Sequence, residues 1–421
     1  MEFATLLKTY LQDFIYSESG DNYSLFGSSD NSTVIEPVAI SGVHTTRYTN
    51  EFWTSKQRRA SSIHEVSYRA CFKPQLPRFF IELLTEEGDL VYDPFSGRGT
   101  TVIEAGLLGR NVASNDINPL SKILICPRFD PPSVEEVETR LSSITVDDSL
   151  ECDIDLSMFF HQQTLREILS LRLYLNQRKI TGSDDNIDRW IAMVATNRLT
   201  GHSSGFFSVY TLPPNQAVSP ESQRKINETR NQTPEYRPTK DIIVRKTKTL
   251  LRCLTDIERA NLRNAGKRAL FLNNEASATG EIKNESVKLT VTSPPFLNIV
   301  QYSKDNWMRC WFNFLDAEGI GSRITMSKTV DQWSNVMGKV FVELYRITKP
   351  QGCVAFEVGE VKNKTVNLDE YVVPLGVNAG FECHGILINS QEFTKTSNIW
   401  GIKNMMSGTN TNRIVVFRKS Q

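Results

Sequence analysis

Cysteine is scarce in this 421-residue chain and never paired: the seven, at 71, 126, 152, 253, 310, 353 and 383, include no C-x-x-C. An odd, scattered set excludes a disulfide framework and a cysteine-based zinc site as organising devices. Histidine is scarcer, and none of the five stands at a ligand spacing, so no metal is expected. No run approaches the roughly 20 continuous apolar residues of a membrane span. The opening MEFATLLKTYLQDF lacks the basic, apolar and cleavage regions of a signal peptide, and the expectation is a soluble intracellular protein. Net charge is also absent, with Lys+Arg 48 against Asp+Glu 48, and the chain is 39% apolar and 23% charged. That balance excludes disorder as the dominant state.

The neutrality is a sum of unlike segments. From Arg224 to Arg268 thirteen Lys/Arg face five acids, whereas Asp130 to Asp155 holds nine acids and one base, Arg140. A shorter basic segment, Arg47 to Arg78, has seven bases and two acids. A single charge run is usually a solvated face. Two basic segments flanking a ligand-binding motif point instead to a polyanion.

Residues 1–45 read as a polar extension, rich in Ser and Asn around SESGDNYSLFGSSDNS. A helix is predicted after Pro77, with Phe79, Phe80, Leu83 and Leu84 at helical spacing. Then Asp89–Tyr92, a glycine turn, Thr100–Leu108 and Asn111–Ser114 give strand, turn, helix and strand, one βαβ unit. After Pro127 the alternation stops for about 140 residues of mostly helical pattern, with a Pro/Asn/Ser/Arg-rich loop at 211–238. Parallel β/α alternation does not tolerate such a gap, which therefore reads as an inserted domain. Strands return at 270–272, 287–292, 353–358, 381–387 and 413–417, with an apolar-faced helix ending before Pro350.

Two motifs carry chemistry. Asp93-Pro-Phe-Ser-Gly-Arg-Gly-Thr-Thr101 joins a strand to a helix, with Gly97 and Gly99 letting the backbone turn tightly against a ligand. The third glycine of G-x-G-x-x-G and the Lys of a phosphate loop are both missing, which disfavours pyrophosphate and triphosphate ligands. Asp116, 23 residues after Asp93, ends the next strand, where a carboxylate accepts ribose hydroxyls. The second motif, Ser293-Pro294-Pro295-Phe296, ends a strand with two residues that cannot continue a ladder. A hydroxyl, a projecting carbonyl and a flat ring then suit a planar base bearing an exocyclic amine. Each motif, taken alone, could equally be a structural turn.

DPFSGRGTT followed by NDINP, and the later TSPPF, resemble the S-adenosylmethionine-dependent amino-methyltransferases of DNA, and more narrowly their N4-cytosine branch, whose motif begins with Ser. The resemblance runs from about Tyr48 to the C-terminus, including FKPQLP, DNWMRCWF and SNIWGIKNMMSGTNTNRIVVF. It implies an α/β fold with a Rossmann-like methyltransferase sheet, mostly parallel with an antiparallel C-terminal strand, and an inserted mainly helical domain. Its parts would be residues 1–45 as extension, 46–128 and 266–421 as the two halves of the catalytic domain, and 129–265 as the target-recognition insertion. By the same resemblance Asp93, Phe95, Ser96, Gly97, Gly99 and Thr100 would bind the cofactor, Asp116 its ribose and Glu275 its adenine. Ser293, Pro294, Pro295 and Phe296 would form the catalytic motif. The partner would be duplex DNA with the target base flipped out, contacted by Arg224, Lys225, Arg230 and Arg237 from the loop at 211–238. The setting would be prokaryotic cytoplasm and a restriction-modification system, its endonuclease a separate chain. N6-adenine methylation, methylation of RNA, and a catalytically silent cofactor-binding scaffold remain the alternatives.

Overall fold

A computed structural model describes residues 2–14, 32–53, 60–68, 71–212, 217–295, 302–324, 327–361, 366–390 and 411–420. The strands are β1 (Val34–Ile40), β2 (Val43–Asn50), β3 (Leu90–Asp93), β4 (Asn111–Asn115), β5 (Leu270–Leu272), β6 (Val287–Thr292) and β7 (Thr348–Val358), followed by β8 (Glu360–Val361), β9 (Val366–Asn367), β10 (Glu382–Ser390) and β11 (Thr411–Arg418). The helices before β5 are α1 (Glu2–Gln12), α2 (Gln75–Leu84), α3 (Thr100–Leu107), α4 (Leu120–Ile125), α5 (Val134–Ser143), α6 (Gln162–Ile180), α7 (Asn186–Arg198), α8 (Pro220–Arg230), α9 (Thr239–Leu251) and α10 (Asp256–Gly266). After β6 come α11 (Tyr302–Asp305), α12 (Trp307–Phe312), α13 (Ala317–Arg323), α14 (Val330–Ile347) and α15 (Asp369–Asn378).

Nine strands form one sheet in the order β1-β2-β10-β11-β7-β6-β3-β4-β5. Strands β3 to β7 pair in parallel, and β11 lies antiparallel to both β7 and β10. This is a Rossmann-like sheet, mostly parallel, with the expected reversed strand near the C-terminus. From β3 the chain steps outward through β4 to β5, then crosses back to place β6 on the other side of β3. The order therefore reverses between β3 and β6, and the crevice beyond their C-terminal ends is where open α/β sheets hold ligands.

The segment expected as a polar extension contributes to this sheet. Val34–Asn50 forms a hairpin whose turn residues, Ser41 and Gly42, both have positive φ, as a two-residue turn between twisted strands requires. Its second strand pairs in parallel with β10. Pro37 is tolerated because β1 is the outermost strand. Alternation of small and β-branched residues around Ser-Gly was the available signal, obscured by the polar residues before it.

Between β4 and β5 the chain is helical, as expected. Three of its helices begin with reciprocal capping boxes, Ser133/Glu136, Asp185/Asp188 and Thr255/Glu258, each satisfying amides that a helix start leaves unpaired. These helices share one hydrophobic core with the sheet: Val137, Ile168, Trp190, Ile242 and Leu262 belong with Val102 and Ile103 of α3 and Val91 and Leu289 of the strands. The insertion thus covers one face of the sheet, and α14 and α15 pack on the other. Within 211–238, expected as a loop, lies α8; Ser219 caps it, Pro220 opens it and Asn231, in the left-handed region, closes it, a start and stop readable from residue type.

Candidate functional site

The apolar run Val91-Tyr92 is fully buried in the centre of the sheet, so β3 delivers Asp93 to the crevice with little freedom. Strand β6 delivers Thr292 beside it. Thr292 Oγ1 donates to Asp93 Oδ1 at 2.6 Å, joining residues 199 positions apart. The two sequence motifs are therefore one structural unit.

After Asp93 the loop folds onto its neighbours. Ser96 Oγ donates to the Asp93 carbonyl (2.8 Å), Ser96 N to the Asn115 carbonyl (3.0 Å), and Gly97 N to Asp116 Oδ2 (2.8 Å). Asp116 Oδ1 accepts from Asn118 N at 2.9 Å. Each Asp116 oxygen is thus engaged by a backbone amide, and its second lone pair is what it can offer a ligand. Gly99 has a different duty from the expected one. At φ +80° it caps α3, and a Cβ there would lie 2.5 Å from Ile125 Cγ1. It is a packing glycine facing α4, not a wall of the pocket.

The pocket in the crevice brings together most of the residues singled out in the sequence. Asp93, Phe95, Ser96, Gly97 and Thr100 line one side, and Asp116 and Glu275 the next. Ser293 and Pro295 close the third, opposite Trp333, Met337 and Val340 of α14. Pro294 is buried beneath this surface and lines nothing. Phe296 lies outside the described residues.

Charge in the pocket is one-sided, with three carboxylates, Asp93, Asp116 and Glu275, and one cation, Arg323. Burial pushes the Asp93 carboxyl up to about 7, against hydrogen bonds from Thr292 and the Phe95 amide. Burial likewise raises Asp116 to about 6, against the amides of Asn118 and Gly97. Buried acids held partly protonated favour a cation or hydroxyl groups as ligand and disfavour phosphate. A sulfonium nucleoside such as S-adenosylmethionine fits this donor set: a positive centre, a ribose diol and no phosphate.

Three residues were missed in the sequence. Glu357, near the end of β7, is buried beside the Ser-Pro-Pro turn; its carboxyl is raised by burial, opposed by hydrogen bonds from Ser293 and Asn412. Asn412 Nδ2 donates to its Oε1 at 2.9 Å. Trp333 Nε1 donates to the Pro295 carbonyl at 3.0 Å, anchoring the turn. Asn115 accepts from Asn274 N (2.9 Å) and donates to the Asn274 carbonyl (3.0 Å), tying β4 to the loop that carries Glu275. Glu357 sat inside the apolar run CVAFEV, which reads simply as a buried strand. Only an acid placed in such a run could have drawn attention.

The expected basic contacts are redistributed. Arg237 is a structural clamp: its Nη1 donates to the carbonyls of Ser203 (3.0 Å), Phe206 (3.1 Å) and Ser208. Arg230 lies 3.8 Å over the Tyr210 ring, and Arg224 pairs with Asp155 at 2.9 Å on the surface. Arg224, Lys225 and Arg230 are carried by α8, and Lys225 is exposed there. The segment before α8 is pinned to the chain after the Ser-Pro-Pro motif, with Ala217 N donating to the Asp305 carbonyl (3.0 Å) and Trp307 Nε1 to that of Val218 (3.2 Å). Among the described residues no group of three His, Cys, Asp or Glu side chains could hold a metal ion, and no helix is long and apolar enough to cross a membrane.

Residues 20–123 match the family model described as DNA methylase. The chain is 26% identical over 299 residues to the Type II methyltransferase M.MvaI of Kocuria varians, covering 64% of this chain and 60% of that protein. It is 23% identical over 303 residues to the Type II methyltransferase M.BsoBI of Geobacillus stearothermophilus, covering 64% and 56%. A shorter stretch of 107 residues is 31% identical to the tRNA (guanine(10)-N2)-dimethyltransferase of Methanocaldococcus jannaschii, covering 22% of this chain and 30% of that one. The matches thus span little more than half the length of the two Type II enzymes.

Proposed function

We propose that the protein is an S-adenosylmethionine-dependent DNA methyltransferase of the Type II restriction-modification kind, and that its target is the exocyclic N4 amine of cytosine. The observation that carries the reading is the 2.6 Å bond from Thr292 to Asp93, which holds the Ser-Pro-Pro turn against a pocket of cofactor chemistry. The match to the family model described as DNA methylase and the similarity to two Type II methyltransferases support DNA as substrate. A separate endonuclease cutting the same site is the partner that such a setting implies.

Bound S-adenosylmethionine supplies an activated methyl group on sulfur, so no nucleophilic side chain is required. Asp93 would hold the positive end of the cofactor, Asp116 the ribose and Glu275 the adenine. The chain's task is to hold the amine in line and take up one proton. Trp333 holds the Pro295 carbonyl, which lines the pocket and keeps a second lone pair, so that carbonyl is the acceptor assigned to one amine hydrogen. The Ser293 hydroxyl takes the other and leans on Glu357. When the methyl leaves sulfur for the amine nitrogen, the thioether would depart neutral, and the surplus proton on nitrogen would pass by way of Ser293 to the Glu357 carboxylate. A carboxyl raised by burial is a better base than a surface one. Phe296 would stack on the flipped base, a contact worth about 1–3 kcal/mol.

Incubation with S-adenosylmethionine and unmethylated duplex DNA, digestion to nucleosides and mass spectrometry test the reading. N4-methylcytosine is expected. N6-methyladenine would overturn the cytosine assignment while leaving the mechanism. Product only on RNA would remove DNA as substrate, and no product despite cofactor binding would identify a scaffold.

A further inference from the structure

A second pocket, of about 330 Å³, lies behind the glycine loop, lined by Glu65, Tyr68, Arg98, Arg198, Phe206 and Lys246 among others. Its charge is opposite to that of the first. Three cations line it against one carboxylate, Glu65, and that carboxylate is already shared by Lys246 (3.6 Å) and Arg252. Like charges crowded in a partly dry site repel strongly and cost stability unless an anion joins them.

The cations are held in place. Arg198 Nε and Nη2 donate to the carbonyl (3.0 Å) and Oδ1 (2.8 Å) of Asn197, and its guanidinium lies 4.0 Å over the Phe206 ring. Arg98, set between the two loop glycines, donates to Thr100 Oγ1 (3.2 Å) and to the Val66 carbonyl (3.0 Å). Burial pushes Arg198 down to about 10, with Arg309 adding to the effect, and Lys246 down to about 8, with Arg198 adding to it. Tyr68 lines both pockets, so this one lies beside the proposed cofactor site.

We propose that this pocket binds a backbone phosphodiester of the substrate strand next to the flipped nucleotide, through Arg98, Arg198 and Lys246. The assignment deepens the DNA-methyltransferase reading and rests on it for the identity of the strand. A fixed, preorganised set of guanidinium and ammonium donors suits one phosphate, and its place beside the reaction pocket suits a contact that registers the nucleotide whose base has been extracted. Arg98 is part of the glycine loop, so the phosphate would touch the same loop that holds the cofactor.

The test is the salt dependence of binding to a short unmethylated duplex, from about 50 to 200 mM, for the wild type, K246Q and K246R. Each phosphate contact contributes a slope of about 0.9 in log affinity against log salt. K246Q is expected to lose about one unit of slope and to bind about threefold to fivefold more weakly at low salt. K246R should restore both, with a cooperative melting transition and the same cofactor affinity in all three. A K246Q slope equal to wild type, with the duplex still bound, overturns the pocket and leaves the DNA reading standing. If the wild type ignores duplex DNA but binds an RNA hairpin with a slope that K246Q reduces, the phosphodiester site stands and the DNA reading falls. If neither polymer binds, both are overturned.

Discussion

Two pockets meet at Tyr68 and carry opposite charge. The one in front of the glycine loop has three carboxylates to one arginine, and the one behind it three cations to one carboxylate. Both pay for burial, and in both the perturbed groups move toward their neutral forms: Asp93 and Asp116 upward, Arg198 and Lys246 downward. The contrast teaches that a chain of zero net charge can set an acidic site, suited to a cation, beside a basic one, suited to an anion. The separation is local electrostatics rather than overall charge.

The strongest way to break this picture is through the acidic pocket's reactive wall. Ser293→Ala should lower single-turnover methylation by about 10²-fold or more while cofactor affinity, measured by calorimetry, stays within error. Unchanged turnover would remove Ser293 from the reaction. Glu357→Gln should cost about tenfold to 10²-fold in the same assay and flatten the acidic limb of its pH profile. A loss of rate with the acidic limb intact would reduce Glu357 to a packing residue.

The acidic side can be sharpened by pH. A buried carboxyl whose value is raised stabilises the free fold below its ordinary range, and that stability is lost as pH climbs through about 7 for Asp93. A cationic ligand reverses the preference, because it favours the ionised form. Cofactor affinity should therefore rise from pH 6 to pH 8 by up to about tenfold, with proton release on binding at the lower pH. Asp93→Asn should abolish the trend, and a flat profile in the wild type would place the positive group elsewhere.

On the basic side the effects are smaller. Arg237→Ala should destabilise the fold by about 1–3 kcal/mol, since three carbonyls lose their donor, with little change in the salt slope of DNA binding. Lys225→Gln, on the exposed face of α8, should leave melting unchanged and reduce that slope by about one. The opposite pattern would return Arg237 to the DNA surface and α8 to solvent.

Much of this was legible in sequence because it is local. The strand, glycine turn and helix from Leu90 to Leu107 and the strand running into Ser293 need only neighbouring residues to declare themselves. The hairpin at 34–50 was hidden because its pairing partner, β10, lies more than 300 residues away, and an edge strand needs no apolar run of its own. Arg237 looked like a DNA contact for a similar reason: a cation in a polar stretch gives no hint that three backbone carbonyls await it.

By itself, the order of residues determined the two motifs, the parallel strands that carry them and the helical interval between, since turn geometry and buried strands depend on short-range sterics and hydrophobic pattern. The tertiary structure alone decided that Thr292 would bond Asp93, that Glu357 would stand behind Ser293, and that Arg98, Arg198 and Lys246 would share one pocket with a single acid. Those contacts join residues scores to hundreds apart, and their energies depend on distance and burial, which no local pattern encodes.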